Sequence, residues 1–583
     1  MCSIEGTTNT SFDISKFTDI NKCRGPDGTH FFQDENVRFG HNLLEISPNP
    51  TKKVQPYVTE KGNVLVYNGE IYGLKEQVWD VEWLANFIET RGLEALKENV
   101  NGMWAFAWYE PAKSKLTLCR DHFGVKPLYY SKYNDYIYFS STLLPLAGLW
   151  NQDTVSGRQT VPSWDNRFEE IYALCDGFNP GSSTILADVY KLYPGQIIQF
   201  DVRSNKELAR HSLWDSKFFH LKPNFLWDKW QLKNIVEQCI SEVCNAPNIK
   251  KTISLSGGLD SSLIASISKN KDKISASSVH WEETNINKKD PSRHMLDEIA
   301  LSKDTCKKLN MDHYITEIPH DNEEYINETY SAMFGIPSWD IQRLLPRFFN
   351  ITQAAKNKNK IYITGDCADE LLTGYNGDFK LHSNEQLSKE ELFFQLGYDL
   401  KSKPLDDDIG YREVGRMVKP SMFKDDVINN RQFRQLMFHC DGFCTVLDHM
   451  CGYYGMESRV PFLHQRLAKY LLTIPGQIKL SIPFDDMPED KEERHDYKFF
   501  MLGHYKVILR EYFKEHYTDG VRKRMRKTGF SNPWDARDPR KNEKLRKEQY
   551  IHHKRHLNKK IVDFKDDLMY NLIHDIKSEN VNE

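Results

Sequence analysis

Residues 254–262 read Ser-Leu-Ser-Gly-Gly-Leu-Asp-Ser-Ser, and no other stretch restricts the fold of this chain as strongly. Lys251-Thr-Ile-Ser254 before it has the character of a short buried strand. Leu263-Ile-Ala-Ser-Ile267 after it has the character of the opening turns of a helix. A strand, a Ser/Gly loop and a helix N-terminus together form an anion cradle. Glycines let backbone N–H groups approach a phosphate, and the helix dipole favours negative charge. No Gly-Lys-Ser/Thr follows the glycines or occurs elsewhere, so this is not the P-loop pattern. A loop without that lysine suits retention of pyrophosphate as a leaving group after attack at an α-phosphate. The alternative is a Ser/Gly-rich turn without a ligand.

From residue 250 the pattern alternates strand and helix. Strand-like Ile253–Leu255 precedes a helix to about Lys269. Ile274–Trp281 precedes a helix over Glu298–Leu309, and Tyr314–Ile318 and Ile361–Thr364 follow. Such alternation predicts a doubly wound parallel sheet that binds ligands at the carboxyl ends of its strands. The segment Thr364-Gly-Asp-Cys-Ala-Asp-Glu-Leu-Leu-Thr-Gly-Tyr375 sits at one such end. Asp366, Asp369 and Glu370 crowd there, and neighbouring carboxylates call for a cation. Mg²⁺ held by Asp369 and Asp260 with ATP phosphates satisfies this. Acidic residues placed in the first turn of a helix also satisfy it.

At 583 residues the chain is too long for one ordinary domain, and 39% apolar content with 12% aromatics is enough for real cores. A net charge of −4 gives no global pull toward nucleic acid or a membrane surface. The polar start is not a signal peptide, and the longest apolar run, Gly102–Tyr109, is too short to span a bilayer. Eleven scattered cysteines predict free thiols in a reducing, cytoplasmic setting. Cys440-x3-Cys444 has helical spacing and reads as helix core rather than as a zinc site.

The first third is strand-rich, with one clear helix at about 80–90, which predicts a layered sandwich. Cys2 gains a neighbouring α-amine if Met1 is removed. That amine, of reference pKa roughly 7.7–8.0, serves as base for its own thiol without help from His or Asp. Asn68 and Gly69 follow the apolar strand 64–66 and offer an amide and an open N–H, a donor pair for an oxyanion. By local pattern alone, Asn-Gly between strands favours a type I′ hairpin.

Cys2, Arg24-Gly-Pro-Asp27, Asn68-Gly-Glu-Ile-Tyr72, Gly102-Met-Trp-Ala-Phe-Ala107 and Arg120-Asp-His-Phe-Gly-Val-Lys-Pro-Leu-Tyr129 resemble the class II glutamine amidotransferase domain. The resemblance implies an α+β, αββα sandwich of the Ntn-hydrolase kind. It implies Cys2 as nucleophile, Asn68 and Gly69 as the oxyanion hole, and Arg24, Asn68, Glu70 and Asp80 around glutamine. The family has His-x-Arg-Leu where this chain has His41-Asn-Leu-Leu44, so the arginine that grips the glutamine α-carboxylate falls on Leu43. Leucine offers neither charge nor a bidentate fork. Either Arg38, Lys52 or Lys53 replaces it, or glutamine binds poorly. Ser3 and Thr142 also stand where the family has Gly and Glu.

Ser256-Gly-Gly-Leu-Asp-Ser261, Gly365-Asp-Cys-Ala-Asp-Glu370, Glu457-Ser-Arg-Val-Pro-Phe-Leu463 and Lys527-Thr-Gly-Phe530 are similar to the ATP-pyrophosphatase domain of glutamine-hydrolysing asparagine synthetases. The resemblance implies nucleotide contacts from Leu255, Ser256, Gly257, Gly258, Asp260, Ser261, Val279, Gly365 and Lys506. It implies Mg²⁺ on Asp260 and Asp369, Asp366 as a proton acceptor, and Lys527 beside an acyl-adenylate. His464, Cys451-Gly452 and Gly335-Ile-Pro337 depart from the family pattern and leave the acceptor open between aspartate and another carboxylate. The segment 506–513 reads as an amphipathic helix, and 522–530 as a basic loop.

The expected domains are a glutaminase over 2–215, a synthetase over 225–545, and a basic, helical tail over 546–583. Residues 540–560 carry nine Lys/Arg against two Asp/Glu and read as a solvated face. Glutamine, ATP and a carboxylate acceptor are the expected partners, with no nucleic acid and no membrane. A homodimer is left open.

Overall fold

The computed structural model describes residues 2–46, 54–75, 78–151, 165, 168, 181–214, 227–269, 273–281, 298–319, 323–336, 341–374, 427–481 and 506–523. Three sheets organise them. The first has the order β10 (Val189–Lys191), β8 (Tyr129–Tyr133), β9 (Tyr136–Ser140), β1 (Ser3–Thr7), β3 (Arg38–Leu43), β2 (Gly28–Gln33). The second has the order β12 (Lys206–Ser212), β11 (Gln196–Asp201), β7 (Lys115–Arg120), β6 (Gly102–Glu110), β5 (Val64–Ile71), β4 (Tyr57–Val58). Both are antiparallel throughout.

The alternation of side chains along a strand explains how these two sheets layer. Along β6, Ala105, Ala107 and Tyr109 enter a core shared with Ile4, Phe39 and Phe139 of the first sheet. Trp104, Phe106 and Trp108 point the other way, against Val81, Leu84, Ala85 and Ile88 of the Asp80–Arg91 helix. The run 102–109 is therefore apolar because the strand is buried on both faces. The four helix residues recur at one helical face, which fixes that helix as the outer layer. On the far side, Phe17 of the Ser15–Ile20 helix and Leu143 and Leu146 of the Leu143–Ala147 helix pack on Tyr129 and Tyr138. The layer order is helix, sheet, sheet, helix.

The third sheet is parallel, in the order β15 (His313–Ile318), β14 (Ile274–Trp281), β13 (Lys251–Ser254), β16 (Ile361–Ile363), β17 (Glu457–Arg459). The chain moves outward from β13 to β15, then returns to the other side of β13 for β16 and β17. The reversal lies between β13 and β16, where open parallel sheets place ligands. Both acidic and glycine-rich loops leave from those two strands.

The Lys229–Cys244 helix opens this half. Asp228 caps it by accepting from the Trp230 and Gln231 N–H groups, and Leu232, Ile235, Val236, Cys239, Ile240 and Val243 form its buried face. A 27-residue helix, Val427–Tyr453, runs against the amidotransferase-like half and carries the charges that join the two. Among the described residues no helix is long and apolar enough to cross a membrane.

Two local expectations change. Asn68 and Gly69 lie inside β5, opposite Ala105 and Trp104, so they form no hairpin turn. The sequence at 506–513 yields only a six-residue helix, Val507–Tyr512, with Val507 to Glu511 all buried, so it presents no polar face.

Candidate active sites

Cys2 precedes β1, half-buried, and its Sγ accepts from the Leu44 N–H at 3.5 Å. Burial pushes its thiol up, the terminal ammonium pulls it down, and Glu457 and Asp80 push it further up. Thus a residue of β17, from the other half of the chain, faces the Cys2 pocket.

Asn68 is fully buried, and neither its Oδ1 nor its Nδ2 has a hydrogen-bond partner. An unpaired buried amide costs about 1–3 kcal/mol. Gly69 follows it with Met103 O so close that an added Cβ would stand 2.2 Å away. Opposite Gly69, the Trp104 N–H donates to the Asp121 carboxylate at 3.2 Å and the Trp104 carbonyl accepts from the Asp121 N–H at 2.8 Å, and the Tyr67 N–H donates outward to Gln55 Oε1. By the two-residue repeat of a strand, the Gly69 N–H also points off the β5 edge.

Asp80 begins its helix and is buried; burial, then the negative charge of Glu70, push its carboxyl up to about 8. Glu70 pairs with Arg459 at 3.3 Å, and Arg459 also donates to Glu457 at 2.9 Å. Lys126, wholly buried, lies 3.6 Å from both Glu457 and Asp448. Glu457 and Arg459 alternate on one short strand and so share a face, a signal present in the sequence but legible only once β17 is placed.

Arg24 is not turned to this pocket. Its Nη2 donates to Asp448 of the long helix at 2.6 Å, with both side chains fully buried. Arg38 does not stand in for the missing arginine either. It sits at the opposite end of β3 from Leu43, roughly 17 Å away by strand rise, bound to Thr10 O and Gln33 Oε1. Lys52 and Lys53 lie outside the described residues.

The second site forms at the sheet reversal. Leu255 continues β13, its N–H donating to Ser277 O. Gly257 has φ +69, and an added Cβ would meet Glu298 O at 2.8 Å. Ser256 and Ser261 hydroxyls lie 3.3 Å apart across the loop, and Gly258 caps the Leu259–Ser268 helix. Gly365 backs directly onto Asp260. Asp260 and Asp369 converge on the Lys506 ammonium, which is 2.8 Å from Asp369 and in hydrogen-bond contact with Asp260. Two hard carboxylates meeting at one cationic point are a donor set that fits Mg²⁺. Val279 is half-buried on β14, opposite Thr316. Asp366 has both oxygens taken, by Arg347 at 3.0 Å and Thr364 Oγ1 at 2.9 Å. Arg347 comes from the Ile341–Lys356 helix, and no local pattern marks it out. Lys527 and the tail lie outside the described residues, and Arg522 belongs to a short helix, Asp519–Lys523, rather than to a loop.

The two sites are thus built on one frame, and comparison with known families agrees with that division. A family profile described as a glutamine amidotransferase domain matches residues 1–214, and one described as asparagine synthase matches residues 250–563. The chain is 27% identical over 375 residues to a glutamine-hydrolyzing asparagine synthetase 1 of Bacillus subtilis (strain 168), covering 60% of this chain and 54% of that one. It is 22% identical to asparagine synthetase 2 of the same organism, covering 83% and 68%. It is 23% identical to the Mesocricetus auratus enzyme, covering 88% and 81%. The match therefore spans about half the length of the first relative and more of the others. The chain belongs to the asparagine synthase family, with a glutamine amidotransferase domain ahead of its synthetase domain.

Proposed function

We propose that this protein transfers ammonia from glutamine to an ATP-activated carboxylate, with aspartate as acceptor and asparagine as product. Residues 2–215 carry the hydrolysis and 225–545 the activation. The Cys2 thiolate attacks the glutamine side-chain amide, with the terminal amine taking its proton. Asn68 and Gly69 hold the oxyanion, ammonia leaves, and water frees glutamate from the thioester. The observation that carries this half is the Asn68 amide, buried and unpaired on the strand edge next to Gly69. Asp80 is suited to an ammonium partner, because a cation offsets the burial and the Glu70 repulsion that keep it protonated.

In the second domain the acceptor carboxylate attacks the α-phosphate of ATP. The 256–261 loop retains pyrophosphate, and the acyl-adenylate becomes electrophilic toward ammonia. Asp260 and Asp369 would hold Mg²⁺, which neutralises pyrophosphate charge. Lys506, between those carboxylates, shifts toward the phosphates. Lys527 is assigned by resemblance to the charge on the adenylate. Asp366 serves as proton acceptor only if Arg347 releases it. Ammonia crosses between the sites inside the protein, because water would protonate it.

Leu43 favours a second reading, a synthetase fed by free ammonia, since Arg38 is bound elsewhere. One assay tests both. The protein is incubated with Mg·ATP, aspartate and either glutamine or ammonium, and asparagine, glutamate, AMP and pyrophosphate are measured. Stoichiometric asparagine and AMP with glutamine, lost in Cys2→Ala but restored by ammonium, are expected. Asparagine with ammonium alone supports the second reading. Glutamate without asparagine overturns aspartate as acceptor.

A further inference from the structure

The loop that carries Asp366 and Asp369 also carries Cys367, and this residue is in an unusual position. Its φ is +68, in the left-handed region that favours glycine. A side chain there is strained at a cost of about 1–3 kcal/mol, and such a residue persists where its side chain is held. The thiol of Cys367 turns inward. Its Sγ, the Sγ of Cys440 and a carboxylate oxygen of Glu370 all lie within 4.8 Å of one another, and all three residues are buried. Cys444, one turn beyond Cys440 on the Val427–Tyr453 helix, is in side-chain contact with Cys367.

We propose that Cys367, Cys440, Cys444 and Glu370 bind one zinc ion. Two sulfurs and one oxygen already lie within 4.8 Å of one another, and Cys444, which touches Cys367 from the same helix face as Cys440, completes a four-ligand set of the structural type. Zn–S bonds of about 2.3 Å require ligand separations of about 4 Å, a small contraction for Cys367, Cys440 and Glu370, while Cys444 has to turn its thiol toward the other three. Binding releases the three thiol protons to solvent and forms three Zn–S bonds and one Zn–O bond. The set leaves two negative charges uncompensated, as Cys₄ zinc sites do. Arg347, electrostatically close to Cys444 and with a buried, unpartnered Nη1, is the neighbouring cation. The sequence reading of Cys440 and Cys444 as helix core had no third ligand in view, because Cys367 is 73 positions from Cys440.

A redox switch is the competing use of three clustered thiols. All three are buried, so no oxidant reaches them from solvent. A zinc ion, by contrast, is captured while the chain folds. The site would pin the turn bearing the Asp369 carboxylate to the helix bearing Asp441 and Asp448, which face the other domain.

The test does not depend on the activity proposed above. Full-length protein from zinc-supplemented cells is passed over a weak chelating resin and its metal counted. About one zinc per chain is expected. Protein refolded with Co²⁺ should show the near-ultraviolet charge-transfer band of cobalt bound to thiolates. Cys440→Ala should lower the metal content at least tenfold, whereas Cys23→Ala, at an exposed cysteine, should not. Where Cys440→Ala fails to fold, Cys444→Ser and the cobalt spectrum of the unmodified protein decide. Metal-free protein whose cysteines all alkylate after denaturation overturns the proposal. So does a disulfide among the three, or zinc retained by Cys440→Ala.

Discussion

Arg24 and Asp448 are 424 residues apart in sequence and 2.6 Å apart in the fold, with neither side chain exposed. Asp448 is held well below the usual carboxylate range against the cost of its own burial, chiefly by Arg24. Removing one partner leaves a charge stranded in the interior. Arg24→Met should destabilise by roughly 3–5 kcal/mol in urea unfolding. Arg24→Met with Asp448→Leu should recover most of that, because Lys126 keeps Glu457. If the single change is neutral, the pair does not hold the halves together.

Asn68 gives a separate signature. Asn68→Ala should lower glutaminase kcat by about 10²–10³ while leaving thermal stability unchanged or raised, since the wild-type amide is buried without a partner. Ammonium-dependent product formation should be unaffected. A fall in stability with no kinetic loss would mean that the amide is structural.

Asp80 sets a pH dependence. Its folded carboxyl is pushed up to about 8, chiefly by burial and then by Glu70, against an unfolded value of about 3.9. Folding therefore takes up a proton there. That stabilisation is fully present below the unfolded value and is lost as pH rises through about 8. Glu5, pushed up to about 8 by burial, acts in the same direction. Stability should fall between about pH 4 and about pH 8, less steeply in Asp80→Asn. An ammonium beside Asp80 expels the proton, so the KM for glutamine should fall from about pH 6 to about pH 8. A flat KM would separate Asp80 from the substrate amine.

The two sites should part under chelation. EDTA should abolish pyrophosphate release and leave glutamate production intact, because the hard carboxylates Asp260 and Asp369 lie only at the sheet reversal. Asp260→Asn should reproduce this with either nitrogen source. Glutaminase lost together with pyrophosphate release would argue that the sites are linked through the metal.

Much of this was legible beforehand. The loops after Ser254 and Ile363 leave the ends of β13 and β16, the strand ends where the alternating pattern places them, while a ligand-free turn and a capped helix start would be written with the same residues. Asn68-Gly69 was ambiguous because a hairpin tip and a strand interior are written alike until β6 supplies the pairing. Asp441 and Asp448 are marked by no motif in the sequence, yet they receive Arg120 at 2.7 Å and Arg24 at 2.6 Å. A buried charge cannot be told from a solvated one without its partner in view. Arg347 and Cys367 were hidden for the same reason, since each acquires meaning only from residues that approach from another element.

The seam itself has a practical meaning. Arg24, Arg120, Lys126 and Lys191 from one half all end on Asp441, Asp448 or Glu457 from the other. A chain that reads as two tandem modules is therefore not modular. Cutting it near residue 220, or grafting either half onto a foreign counterpart, would open an interface lined with unneutralised cations on one side and carboxylates on the other. Swapping acceptor specificity between relatives has to be done within the synthetase pocket, with the helix 427–453 and β17 left in place as the half that their cations already know.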